Sequence, residues 1–214
     1  MKLTILILTS LVFCISCNNS NANKSFFDNA STKEKTDASK SQRELLIEEL
    51  KKLKVVIASN NKETIAQLFP FPLADTTLGI YIDDSTYFKE FRKNGGKTTK
   101  AMFLKYFQQI YQDMQLDQIS ELFKYLNLDS LSQKDTLQYE VRSEKEPCYK
   151  FYHVYIAKDT VTLEFGTNTN KDYVDSSIKT EDDEGSGDEC EFASIWTFKF
   201  DGLKLHFVML VAAG

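Results

Sequence analysis

The chain has 214 residues, with 26 lysines and arginines against 31 aspartates and glutamates, for a formal net charge of −5. That length suits one ordinary domain with appendages, 42% apolar residues exclude disorder throughout, and the acidic balance supplies no general basic field for nucleic acid. Aromatic residues reach 13%, which favours a substantial β-sheet or a ligand cavity, whereas 8 Gly and 2 His supply phosphate loops and multi-histidine metal sites poorly.

Leu3 to Ile15 is an apolar run broken only by Thr4, Thr9 and Ser10. It is too short to span roughly 30 Å of hydrocarbon, and after Lys2 it reads as the apolar region of an export signal. The run ends at Cys14-Ile15-Ser16-Cys17, and a polar tract follows. Ile15 and Ser16 ahead of Cys17 resemble the bacterial lipobox, with Cys14 standing where Leu or Val is usual. The resemblance implies residues 1–16 as a signal peptide, cleavage before Cys17, and fatty acylation of that cysteine. The mature protein is then held by lipid to a membrane of the bacterial cell envelope. The other reading is an ordinary secretory signal with an incidental cysteine.

Asn18 to Lys40 holds five Asn, four Ser and four Lys, and its large apolar residues are Phe26 and Phe27. Such a stretch buries too little surface to offset its ordering entropy. Residues 17–40 therefore read as a lipidated cysteine and a flexible tether reaching roughly 25–30 Å. In the alternative, Phe26-Phe27 docks on the domain that occupies residues 41–214.

Ser41-Gln42-Arg43-Glu44 has the form of a capping box, in which hydroxyl and carboxylate satisfy free N–H groups at a helix start. Leu46, Leu50, Leu53 and Ile57 then recur at helical spacing. A second helix is expected from Asn60–Glu63 through Ile65, Leu68 and Phe69, stopped by Pro70 and Pro72. Leu78–Ile82 reads as a short strand and Asn94-Gly95-Gly96 as a turn. A third helix starts at Thr98 or Thr99 and carries Phe103, Phe107, Ile110, Tyr111 and Met114 as one stripe. Ile119, Leu122, Phe123 and Leu126 mark a shorter fourth.

Beyond Leu137 the hydrophobic period becomes two. Strands are expected over Gln138–Ser143, Cys148–Ala157, Thr160–Thr167, Cys190–Phe200 and Leu203–Ala212, with two-residue links at Lys158-Asp159 and Asp201-Gly202. Helices first and an antiparallel meander second describe an α+β domain. On the last strand, alternation puts Leu203, Leu205, Phe207, Met209 and Val211 on one face. Lys204, His206, Val208, Leu210 and Ala212 take the other, polar near the hairpin and apolar beyond it. An outer face with an apolar half is usually covered, by the domain's own helix or loop, by a second copy, or by an envelope protein.

The long first helix, the short second helix ending at Phe69-Pro70-Phe71-Pro72, the helix at Thr99–Phe107 and the final hairpin Trp196–Leu205 together resemble the NTF2-like superfamily. This likeness of element order implies N-terminal helices packed on a curved antiparallel sheet, a cone with a cavity at its open end. Its members include small-molecule binders, isomerases, dehydratases and non-catalytic exported domains. The enzymes need an Asp or His aimed into the cavity, and no residue here matches that role specifically.

Cys148 and Cys190 are the thiols left once Cys14 is removed and Cys17 acylated. An even pair in an exported chain suggests a disulfide. If one strand lies between them, their Cα atoms would be about 10 Å apart, too far to bridge, so a disulfide and two separate buried thiols are equal alternatives. Glu181 to Glu191 packs seven acids around two glycines, a solvated loop or a weak cation site. Tyr152, Tyr155, His153 and Trp196 are the candidates for lining a pocket, with Tyr139 and Tyr149 beside them, and ordinary sheet packing is the competing role. His153 and His206 lack metal-ligand spacing, and no catalytic residue, metal or cofactor is assigned.

Taken together, these features suggest a membrane-anchored, non-catalytic envelope lipoprotein whose domain binds a small apolar ligand or a protein partner, and no nucleic acid. A cone-fold enzyme for a small organic substrate and a purely structural envelope module are the alternatives.

Overall fold

Ser41 is the N-cap of the first helix in the computed structural model, which describes residues 40–74, 82–173 and 190–214. Its backbone N–H donates to Glu44 Oε2 at 2.7 Å and its Oγ accepts from Glu44 N at 3.2 Å, so both halves of the capping box are present. Helix α1 (Gln42–Ala58) then buries Leu46, Ile47, Leu50, Leu53 and Ile57 along one face. Leu50 is fully buried, so truncating it to alanine costs about 2–5 kcal/mol. Asn61, one residue into the expected start, caps α2 (Lys62–Ile65), which tightens into a 3₁₀ turn over Ala66–Leu68. Strand β1 (Leu73–Ala74) pairs antiparallel with β2 (Lys97–Thr98), and α3 (Ser85–Lys93) lies between them in sequence. The strand expected over Leu78–Ile82 lies outside the described residues apart from Ile82, which is buried.

The expected third helix is two helices. Thr99 caps α4 (Lys100–Lys105), the chain breaks at Tyr106, and α5 (Phe107–Asp113) continues. The break leaves Phe103, Phe107 and Ile110 all buried. Gln115, at φ +52°, turns the chain sharply into α6 (Leu116–Tyr125), whose Leu116, Ile119, Leu122 and Phe123 face inward. A 3₁₀ turn at Leu128–Ser132 leads to the sheet.

Five antiparallel strands follow in meander order: β3 (Thr136–Val141), β4 (Cys148–Ala157), β5 (Thr160–Thr169), β6 (Phe192–Phe200) and β7 (Leu205–Ala213). The domain is thus α+β, with an open five-stranded sheet covered on one face by the helices. The covered face carries Tyr152, Val154 and Ile156 of β4, Val161, Leu163 and Phe165 of β5, and Trp196, Phe198 and Phe200 of β6, all buried. The Lys158-Asp159 link has two residues, since Ala157 pairs with Thr160.

The last hairpin differs from expectation in two ways. Phe200 pairs with Leu205, so the link holds four residues rather than two. The Asp201 carboxylate draws the turn together by accepting the N–H groups of Leu203 and Lys204, each at 2.8 Å. In addition, Phe198 pairs with Phe207 but Thr197 pairs with Met209, so Val208 is an extra, bulged residue. The bulge shifts the alternation by one. Phe207 and then Leu210 face the core side, while His206, Met209, Val211 and Ala213 share the outer face with Lys199, Thr197, Ile195 and Ala193. The expected gradient from polar to apolar survives, on different residues.

The interior is filled by rings. Phe69 lies 5.3 Å from Phe103, 5.0 Å from Phe207 and 6.3 Å from Trp196, measured between ring centroids. Trp196 stacks on Phe198, and its indole N–H is buried with no hydrogen-bond partner. Such an orphan donor costs about 1–3 kcal/mol, which the burial of the large ring offsets.

Candidate functional site

The Gln115 backbone conformation is unfavourable for a residue with a Cβ by about 1–2 kcal/mol. Two contacts hold it: Leu116 is fully buried immediately after it, and the buried Ser194 Oγ donates to Gln115 Oε1 at 2.9 Å. The bend borders a cleft of about 530 Å³ between α5, α6 and strands β4–β6. Gln108, Gln112, Gln115 and Gln118 line it, with Tyr111 among them and Asp117 and Lys150 beside them. Phe165, Gly166, Thr167 and Phe192 complete it on the sheet side. The glutamines fall at spacings of four, three and three: Gln108 and Gln112 lie on the side of α5 opposite to its buried stripe, Gln115 is the turn residue, and Gln118 belongs to α6.

The sheet side of the cleft depends on close backbone approach. A Cβ on Gly166 would lie 1.9 Å from the Phe192 carbonyl oxygen, so no side chain fits there. Thr167 Oγ1 donates to the Cys190 carbonyl at 2.5 Å, which draws the segment before β6 across the tail of β5. β5 extends to Thr169, two residues past its last pairing with β6, at Thr167. Cys190 and Glu191 have left the ladder there, and Cys190 reaches Cys148 at the start of β4. The two are joined by a disulfide with Cα atoms 5.4 Å apart. The separation of two strand spacings does not apply, because Cys190 is not in a strand.

Charge around the cleft is modest. Lys150 Nζ lies 3.6 Å from Glu121 Oε2, which also accepts the Tyr152 hydroxyl at 2.6 Å. That hydrogen bond is the main cause holding the Glu121 carboxyl below its usual range, and burial followed by the same bond pushes the Tyr152 hydroxyl far up. Burial, then the Asp117 charge, raises Tyr111. Among the described residues no histidine or cysteine lines the cleft. Its chemistry is that of amides, with two N–H donors and a carbonyl acceptor on each glutamine, above an apolar base.

The residues expected to line a pocket do not come together. Strand alternation sends Tyr152 and Trp196 into the core and His153 and Tyr155 to the outer sheet face. His153 Nδ1 lies 3.0 Å from the Tyr155 hydroxyl and 3.4 Å from Glu164 Oε2, a small, half-buried cluster on the outer sheet face. Tyr139 stacks on Tyr125, and Tyr149 lies under the Arg142 guanidinium at 3.6 Å. His206 Nε2 meets Asp201 Oδ2 at 2.6 Å and belongs to the last hairpin, three strands from His153. Among the described residues no cluster of three or more His, Cys, Asp or Glu side chains could hold a metal. The acidic run Glu181–Glu191 lies outside the described residues apart from Cys190 and Glu191, and so do Cys14, Cys17 and Phe26-Phe27.

Sequence reasoning passed over the glutamines because a polar helix stripe is ordinarily a solvated face. Their spacing was the available signal, but it gains meaning only once Gln115 turns the chain over the sheet end. No protein-family model, curated protein or solved structure matches the chain.

Proposed function

We propose that the protein is a non-catalytic binding module of the bacterial envelope, acylated at Cys17, whose cleft grips an extended segment of a partner protein. The observation that carries the binding half is the glutamine stripe above an apolar base. Peptide backbones offer the donors and acceptors that primary amides complement, and Phe165 and Phe192 can take an apolar side chain of the same segment. The ring-filled interior favours this partner over a small apolar ligand held inside the domain. The order of helices followed by an antiparallel meander supports an NTF2-like cone, with its centre occupied by Phe69, Trp196 and Phe207. The Cys148–Cys190 bridge supports export, since such bonds persist in oxidising compartments.

Two experiments test the halves separately. A photo-crosslinking amino acid at Gln108 or Gln112 should yield a discrete adduct in cells, absent when it is placed at Lys62 on α2 and weakened by Gln115→Ala. Indistinguishable labelling at all three positions would dismiss the cleft. A fatty-acid analogue should label the wild type and not Cys17→Ala; persisting label on that variant would dismiss the anchor.

A further inference from the structure

We propose that the end of the domain where the tether meets α1 rests on anionic phospholipid headgroups of the bilayer, through Leu203 and the lysines around it. This inference builds on the acyl anchor at Cys17, and its test separates the two.

Several elements converge at this end. Gln42, in the first turn of α1, has its Oε1 3.5 Å from where a Cβ on Gly202 would lie. Phe200 N donates to the Asp159 carbonyl at 2.7 Å, which joins the β4–β5 and β6–β7 hairpins. Arg43 donates to the Lys134 carbonyl at 2.6 Å, bringing in the chain ahead of β3. A cleft of about 590 Å³ lined by Gln42, Arg43, Lys158, Asp159, Asp201 and Gly202 lies between these pieces.

The charges here are unbalanced although the chain is acidic. Each acid at this end has a partner: Glu44 accepts from Ser41, Asp135 pairs with Arg43 at 3.0 Å, Asp159 pairs with Lys199 at 2.8 Å, and Asp201 meets His206 and accepts two backbone N–H groups; set against Arg43, Lys134, Lys158, Lys199 and Lys204, these four carboxylates leave an excess of one positive charge. Lys134, Lys158 and Lys204 have no ion-pair partner among the described residues, and all three are exposed. Leu203 stands among them with 78% of its surface exposed, the most exposed of the large apolar residues described. An apolar side chain at a hairpin tip, next to unpaired lysines, is suited to the headgroup boundary. There the leucine leaves water and the ammonium groups meet lipid phosphates.

Three lysines are too few to hold a free protein firmly, since each contributes about a fivefold gain in partitioning to an anionic surface. The tether changes that. Ser41 opens α1 at this same end, so a chain acylated at Cys17 presents these lysines to the headgroups at a raised effective concentration. The glutamine cleft involves α5, the start of α6 and the opposite end of β5, so this orientation leaves it turned away from the bilayer and open to a partner.

The test uses the full chain carrying Leu203→Trp, reconstituted into phosphatidylcholine vesicles with or without phosphatidylglycerol and with brominated acyl chains as quencher. Trp196 is 1% exposed and serves as the unquenched background, measured in the wild type. Quenching of the introduced indole is expected on the anionic vesicles, together with its loss at high salt and on neutral vesicles. Lys158→Ala and Lys204→Ala should each lower the ratio of quenched to unquenched protein about fivefold. Protein that floats with anionic vesicles while the introduced indole stays unquenched overturns the inference and leaves the anchor intact. If the protein does not float, the anchor fails, and the same chain is titrated with excess anionic vesicles. Saturable quenching then upholds the surface, and its absence at every vesicle concentration overturns it.

Discussion

Replacing both Cys148 and Cys190 by alanine should weaken the domain strongly and loosen one end of it selectively. The bridge spans 42 positions of sequence. In the chain-entropy treatment, closing a loop of about 43 residues removes roughly 13 cal/mol/K from the unfolded ensemble, or about 4 kcal/mol at 25 °C. For a domain of this size each kcal/mol moves the melting midpoint by about 2–4 °C, so the double variant should melt about 8–16 °C lower. Its urea dependence should also steepen, because the uncrosslinked unfolded chain exposes more surface. The loss has a location: Cys190 carries the chain into Phe192, which borders the glutamine cleft. Amide exchange should therefore quicken at the start of β6 and the tail of β5 more than in α1. Thermal melts and exchange by mass spectrometry check both parts. An unchanged midpoint, or alkylation of Cys148 and Cys190 in denatured but unreduced wild type, would refute the reasoning.

Gly166→Ala should destabilise by about 1–3 kcal/mol or more, since the added carbon meets Phe192 backbone at 1.9 Å and must push β6 aside; an unaltered urea midpoint would count against that contact. Trp196→Phe should cost less than the about 3–5 kcal/mol expected for Phe103→Ala, because it removes an unsatisfied buried N–H along with ring area, and equal losses in denaturant titrations would contradict this. The Asp201 carboxyl is lowered to about 2, by the Lys204 N–H first and then by His206 and the Leu203 N–H. A depressed carboxyl contributes stability fully above its unfolded value and loses it as pH falls through the folded one. The amide shifts of Leu203 and Lys204 should accordingly titrate with a midpoint at about 2, and a midpoint near the ordinary carboxylate value would show that the turn is not held this way.

Local signals in the sequence determined the elements whose causes are local. Ser41 and Glu44 are three residues apart and satisfy each other's backbone, so α1 begins at the expected place. Lys158-Asp159 joins two alternating runs, and β4 occupies the expected Cys148–Ala157. Tertiary structure decided what depends on residues distant in the chain. The break at Tyr106 lets Phe103 and Phe107 both reach the core, and the left-handed Gln115 is held by Ser194, 79 positions away. The bulge at Val208 reassigns the outer face of β7, and a cysteine displaced from its ladder can cross the tail of a strand to a partner that ideal strand spacing puts out of reach. A hydrophobic period records which side of an element is buried. It carries no information about where that element stops, bends or slips by one residue, because the competing packings differ only in contacts between segments far apart in sequence.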